Sequence, residues 1–257
     1  MANLDLIRKL NLNYAKNSNI ANSSDIVNLN EAFDPYMIEK GLDNALANLG
    51  PDFIGCFEFG LATDVAIMFV DVCSFSTRFT DLNGDQIGEY FDIYYDIVIP
   101  IIYSYGGEVE KIIGDGIIAV FGRPFLNADI SECIKNAARC SKEIIRNTVN
   151  TEYSSKIALH SGLIHYYKNK TGLYKEFTMI GKPLTELFRL ESISEDDCVN
   201  YYEGTPVYEY FRQRTLPLNA SASQRSQTPW VQYSKIISEL KGVAYTRMSY
   251  ISYGRRT

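Results

Sequence analysis

The sequence predicts an α+β fold: a ferredoxin-like, split βαβ layout with helices packed on a mainly antiparallel sheet. Three observations predict it. Apolar runs of strand length, such as "VAIMFV" and "IIAVF", alternate with longer segments whose apolar residues recur at helical spacing. The order of these segments from residue 64 onward is β-α-β-β-α-β, with further strands appended. The stretch "EVEKIIGDGIIAVF" sets Asp-Gly between two β-rich runs, a short-range hairpin signal.

The elements follow in order. Residues 1–58 read as a partly helical N-terminal extension. "LDLIRKLNLNY" suits a short helix, and "FDPYMIEKGLDNALANLG" carries helical spacing up to a stop at Gly50-Pro51. Residues 59–257 read as one folded domain. "DVAIMFVDV" is a buried strand. Residues 86–105 form a long helix, with Pro100 expected to kink it or end it early and Gly106-Gly107 to cap it. The hairpin comes next, with Gly114-Asp115-Gly116 at its tip. Residues 127–149 form a second amphipathic helix. "KIALHSGLIHYY" (156–167) is a strand and "LYKEFTMI" (173–180) its antiparallel neighbour. Residues 181–193 form a third helix with Pro183 in its first turn. The region near 203–229 is expected to be a variable loop, Ser-, Gln- and Pro-rich over 214–229. "VAYTRMSYIS" closes the chain as a strand.

Composition narrows the classes. A length of 257 residues permits one large domain or two small ones, and 46% hydrophobic with 22% charged residues is ordinary for a globular protein. A net charge of −6 argues against general attraction to nucleic acid or an anionic membrane. An anionic ligand therefore needs a local site or a metal. No apolar run approaches the roughly 20 residues that span a bilayer. Five cysteines without a CxxC pair point to reduced thiols and a cytoplasmic location. The two histidines, His160 and His165, lie in strand-like runs. They read as packing residues rather than zinc ligands.

Two aspartates carry the chemistry. Asp71 ends the first strand and Asp115 sits at the hairpin tip. In a split βαβ unit the first and third elements are neighbouring strands, so the end of the first strand and the hairpin turn can lie side by side, with no lysine close in sequence to pair the two carboxylates. Paired carboxylates repel unless a proton or cation joins them. Hard divalent cations take such ligands and bridge to phosphates. Alternatively, Asp115 is only a turn residue, since Asp suits turns for backbone reasons. After Asp71 comes "VCSFSTRF", where main-chain N–H groups and the hydroxyls of Ser74, Ser76 and Thr77 can approach a phosphate at a helix start. The same segment also suits an ordinary N-cap.

"FVDVCSFS", "YGGEVEKIIGDGIIAVFG", "IALHSGLI" and "FTMIGKPLTELFRLESI" together resemble the catalytic domain of the class III nucleotide cyclases. The likeness covers about residues 60–200, with a weaker continuation to "ELKGVAYTRMSYI". "GGEVE" has a superficial likeness to the GGDEF signature of diguanylate cyclases, but there the signature lies on the hairpin tip and here "GDG" does. The resemblance implies that Asp71, Asp115 and the main chain of Val72 bind two Mg²⁺ or Mn²⁺ ions. It implies a nucleoside triphosphate substrate, whose ribose 3′-oxygen attacks the α-phosphorus and expels pyrophosphate. It places Phe75 and Ser76 beside the substrate, Arg189 against charge growing on the α-phosphate, and Lys241, more loosely, on the triphosphate. It implies a head-to-tail homodimer with composite sites: metals from one chain, Lys111, Thr178 and Arg189 from the other. Each also has an ordinary reading: Arg189 as a surface residue paired with Glu186 or Glu191, Lys111 as a solvated strand lysine, Thr178 as simple β-propensity.

Lys111 and Thr178 fall where the family reads the base. Lysine only donates, so it needs an acceptor on the base. Adenine and cytosine present a ring nitrogen beside an amino group, whereas guanine and uracil present a ring N–H beside a carbonyl. The pair therefore argues against GTP, and against UTP only if uracil presents the same edge. Thr185 stands where the family usually has an asparagine that orients the ribose. That departure puts ordinary adenylate cyclase behaviour in doubt. A cyclase of this size, expected to lack sensor or anchor, resembles the bacterial antiphage pyrimidine (cytidylate and uridylate) cyclases of Pycsar systems. That likeness favours CTP or UTP over ATP and implies a downstream effector that senses the cyclic nucleotide. A degenerate nucleotide-binding dimerisation module is the non-enzymatic alternative.

Overall fold

The computed structural model describes residue 52 and residues 54–79, 83–168, 177–217 and 229–254. The expected helices before residue 51 lie outside them. After a short π-helical turn at Ile54–Glu58 come β1 (Thr63–Val72), α1 (Phe75–Arg78), α2 (Gly84–Ser104), β2 (Glu108–Ile113), β3 (Gly116–Phe121), α3 (Ile130–Thr148), β4 (Ser155–Lys168), β5 (Phe177–Ile180), α4 (Lys182–Glu191), β6 (Cys198–Tyr202), α5 (Pro206–Arg212), β7 (Leu216–Pro217), β8 (Trp230–Ile236) and β9 (Arg247–Tyr253).

The strands form one sheet in the order β2-β3-β1-β4-β6-β9-β8-β7, with β5 added to β4. The run β2-β3-β1-β4 is the split βαβ arrangement the sequence predicts. Pairing is antiparallel except for β4 with β6 and β7 with β8. Both faces are covered. Ala66, Met68, Val70 and Val72 of β1 face α2, α3 and α5. Val65, Ile67 and Phe69 face α4 and the Ile54–Glu58 turn. Burial on both faces is why β1 reads as a continuous apolar run rather than an alternating one.

Local signals set the ends of the elements near the site. Asn83 caps α2 and exchanges hydrogen bonds with Gln86 in a capping box. The helix runs through Pro100 to Ser104, so the expected early end does not occur. Ile99 and Ile102, buried on either side of the proline, hold that last turn in the core. Gly106 N–H then donates to Tyr103 O and Gly107 N–H to Ile102 O, closing the helix as a Schellman motif. Asp129 caps α3 by accepting from the Glu132 N–H. Pro183 lies in the first turn of α4.

The C-terminal third departs from expectation. β6 is a five-residue strand, buried throughout, and is too short for a periodic signal. α5 lies within the region expected to be loop, and β7 follows it. Thr205 caps α5 by accepting from Tyr208 N–H. The closing strand begins at Arg247 rather than Val243 and pairs with β8. Residues 218–228 lie outside the described residues.

Candidate active site

The β1–β3 register pairs Val70 with Ile117, which carries Asp71 to the tip of the β2–β3 hairpin. That turn is tight because Ile113 pairs directly with Gly116. Gly114 takes φ +60 at its first central position, as a type II′ turn requires, while a Cβ on Gly116 would lie 2.4 Å from the Phe69 ring. The two glycines thus bring Asp115 to the end of β1. Asp115 and Asp71 are both half-buried. Burial and then the neighbouring Asp115 push the Asp71 carboxyl up to about 6.

A residue the sequence reading missed completes the cluster. Lys156, second in β4 and paired in register with Asp71, lies 3.2 Å from Asp71 Oδ2 and 2.8 Å from Glu191 Oε1. Burial opposes its charge, but Glu191 and Asp71 outweigh burial and push the amine up to about 12. A lone lysine at the head of an apolar strand was the only available signal. Its partner is fixed by strand register, which one sequence does not display.

Val72 ends β1 and is buried. Ser74 takes a left-handed conformation, φ 56, at the start of α1. Its hydroxyl donates to Asp196 at 3.4 Å rather than capping the helix. The Phe75 ring packs among Phe79, Tyr90 and Phe91, so only its main chain is placed to meet a ligand. Ser76 lies within α1.

Lys111 sits on β2 beside a bulge. Register slips between Val109 and Lys111, so Lys111 pairs with Ile118, and Ile118 pairs with Phe69. The bulge therefore turns Lys111 to the face that carries α4. Thr178 pairs with Tyr167, at the far end of β4 from Lys156. About 35 Å of strand, at roughly 3.3 Å per residue, separates those ends. Thr185 and Arg189 are exposed on α4, and Arg189 makes no ion pair with Glu186 or Glu191 among the described residues. Lys241 is exposed in the turn between β8 and β9. One chain thus gathers Asp71, Asp115, Lys156 and Glu191, and leaves Thr178 distant from them.

The donor set suits a hard divalent cation: two adjacent carboxylates, one of them held protonated at mildly acidic pH by burial and by the other. No group of three or more metal-ligating side chains occurs among the described residues, so water or phosphate oxygens must complete any coordination shell. A cavity of about 530 Å³ lies elsewhere, at the opposite end of β1, lined by Asp52, Cys56, Thr63, Asp64 and Arg123. It contains none of the candidate residues.

No protein-family model matches the chain, and no curated protein matches it. Solved structures do. The catalytic core of a rhodopsin-guanylyl cyclase with converted specificity, in complex with ATPαS, superposes with a TM-score of 0.59 at 17% identity, covering 75% of this chain and 98% of that one. The adenylyl cyclase CyaB from P. aeruginosa gives 0.59 at 16% identity, covering 76% and 97%. The guanylate cyclase domain of RhGC from Catenaria anguillulae, in complex with GTP, gives 0.58 at 15% identity, covering 76% and 100%. The fold is that of a class III nucleotide cyclase catalytic domain. Within this cyclase fold, no helix among the described residues is long and apolar enough to cross a membrane.

Proposed function

We propose that the chain is a nucleotide cyclase, forming a 3′,5′-cyclic nucleotide and pyrophosphate from a nucleoside triphosphate. The observation that carries this reading is the pairing of Asp71 with Asp115 at the end of β1 in a cyclase fold, with Asp71 pushed up to about 6. Asp71, Asp115 and the Val72 main chain are the groups that would hold two divalent cations, Mg²⁺ or Mn²⁺, whose charge when bound lowers the pKa of the ribose 3′-hydroxyl and steadies the triphosphate.

The chain's own residues do the rest. The 3′-oxygen bonds to the α-phosphorus as the bond to the bridging β-phosphate oxygen breaks, and pyrophosphate departs. Lys156 bridges Asp71 and Glu191 in the unloaded chain and adds positive charge where the triphosphate arrives. Arg189 stabilises charge on the α-phosphate as it grows. Thr185 faces the ribose. Phe75 and Ser76 offer main chain to the phosphates, and Lys241 neutralises their far end. The site is shared between two copies of the chain in a symmetric homodimer. Support for sharing comes from the separation of Thr178 from Asp71 along β4.

Base choice rests on Lys111 and Thr178. A lysine donor fits the ring nitrogen of cytosine or adenine and argues against GTP; it argues against UTP only if uracil presents the same edge. We favour a pyrimidine triphosphate, CTP or UTP, and an antiphage second messenger, cyclic CMP or cyclic UMP, made in the cytoplasm and read by a separate effector. Lys111 with Thr178 fits ATP equally well in hydrogen-bonding terms, so an adenylate cyclase is the second reading. The test is incubation of the purified protein with ATP, CTP, UTP and GTP separately in Mn²⁺, with products identified by mass spectrometry. Cyclic CMP or cyclic UMP as the main product is expected. Cyclic AMP would make the chain an adenylate cyclase. Nucleotide binding without any product would make it a degenerate dimerisation module.

A further inference from the structure

α4 meets β4 at three points. Pro183 lies against Gly162, where a Cβ would come within 2.6 Å of the Pro183 Cγ. Glu191 reaches Lys156 at 2.8 Å. Between them Glu186 turns inward and meets His160. His160 Nε2 lies 3.1 Å from Glu186 Oε2, and the two side chains are 2% and 5% exposed. The other carboxylate oxygen lies 3.3 Å from the Lys182 Nζ. Tyr202 donates from its hydroxyl to the Glu186 main-chain oxygen at 3.1 Å. The rings of Tyr202 and Tyr245 stand edge-on to His160. Burial pushes His160 below its usual pKa. A carboxylate only accepts, so the neutral ring donates through Nε2.

This pair is an expensive way to fill space. Replacing both partners of a buried hydrogen bond with apolar residues of similar shape can be neutral or stabilising. Leu187 and Leu190 already supply apolar contact between α4 and the sheet. Apolar contact tolerates some roll and slide of a helix, whereas a hydrogen bond from a buried imidazole has one direction and one length. Thr185 precedes Glu186, and Arg189 follows it by about one turn. Both project outward from α4.

We infer that the Glu186–His160 pair is a positioning device that fixes the roll and slide of α4 and so aims Thr185 and Arg189 at the reacting nucleotide. The aim of Thr185 and Arg189 rests on the cyclase reading above; the lock on α4 does not. Glu186 and His160 touch no substrate, so their effect falls on turnover more than on substrate binding.

The experiment compares the full-length protein with Glu186→Gln, Glu186→Leu and the double variant Glu186→Leu/His160→Leu. It reads kcat and KM with the triphosphate that the unmodified protein converts, Tm, and amide hydrogen exchange over residues 182–191. Glu186→Leu lowers both Tm and kcat, because it strands His160. The double variant regains Tm, yet keeps kcat about tenfold down with KM nearly unchanged, and its α4 amides exchange faster. Glu186→Gln, which still accepts from Nε2, keeps kcat within about threefold. Wild-type kcat and α4 protection in the double variant would overturn the device, as would a Glu186→Gln protein as slow as Glu186→Leu. Should the double variant not fold, equal kcat and KM in Glu186→Gln and Glu186→Met would overturn it. If the unmodified protein cyclises none of the four triphosphates, the cyclase reading fails. Hydrogen exchange alone then decides: faster α4 exchange at unchanged Tm supports the lock, and unchanged protection overturns it.

Discussion

Asp71 concentrates the tension of the site. Burial and the neighbouring Asp115 push its carboxyl up from the usual 3.8 to about 6, so between those values the folded chain holds a proton that the unfolded chain has lost. Stability of the metal-free protein therefore falls as pH rises from about 4 to about 6, and the loss persists above that. Asp71→Asn removes the ionisation. At pH 7.5 the metal-free variant should gain on the order of 1–3 kcal/mol, seen as a Tm several degrees higher, while product formation is lost. An unchanged or lower Tm would show that Asp115 and burial do not strain Asp71. Lys156 works in the opposite direction. Lys156→Met leaves Asp71 and Glu191 facing each other without a cation, and should cost about 1–3 kcal/mol at pH 7.5, measured by urea denaturation. No loss would mean the pair is solvated rather than bridged.

At the scale of elements, the hairpin and α4 decide where the chemistry sits. Gly114 has φ +60 and open space around a would-be Cβ, so Gly114→Ala meets only a backbone cost of about 1 kcal/mol. Turnover should fall further than that small change in Tm implies, because the strain displaces Asp115. Gly162→Ala acts by contact instead. Its Cβ would meet the Pro183 ring at 2.6 Å and lift α4 from β4, for a loss of about 1–3 kcal/mol. Equal Tm for Gly162→Ala and the parent would show that α4 is not seated there. These elements were legible in the sequence because residues with special backbone chemistry mark them. Gly-Asp-Gly announces the hairpin, Gly106-Gly107 the end of α2, and Pro183 the start of α4. β6 was not legible, since "CVNYY" is too short to show a period. α5 lay inside a region read as loop, although Thr205 caps it and Pro206 is its first residue. Pro100 does not end α2, because buried isoleucines around it outweigh one missing N–H. Of the site, Asp71 and Asp115 could be read from strand order. Lys156 and the Glu186–His160 pair depend on which residues face each other across β4, and that is a property of register and helix seating.

At the scale of the whole molecule, the sheet keeps Asp71 and Thr178 at opposite ends of β4. A site that uses Asp71 for metal and Thr178 for the base therefore needs two copies of the chain. Arg189 is taken with Thr178 in this account because it stands on the face of α4 opposite Glu191, two residues on, and projects to solvent rather than toward Asp71 of its own chain. The most direct measurement of this claim mixes two inactive variants, Asp71→Ala and Arg189→Ala, under conditions that exchange subunits, and follows cyclic nucleotide formation in Mn²⁺. Each variant alone should be inactive. In the mixture half of the dimers are heterodimers with one intact site of two, so activity should return to about a quarter of the parent's rate. A mixture as inactive as its components, with heterodimers present and the parent active, would contradict the composite site and return the chemistry to a single chain.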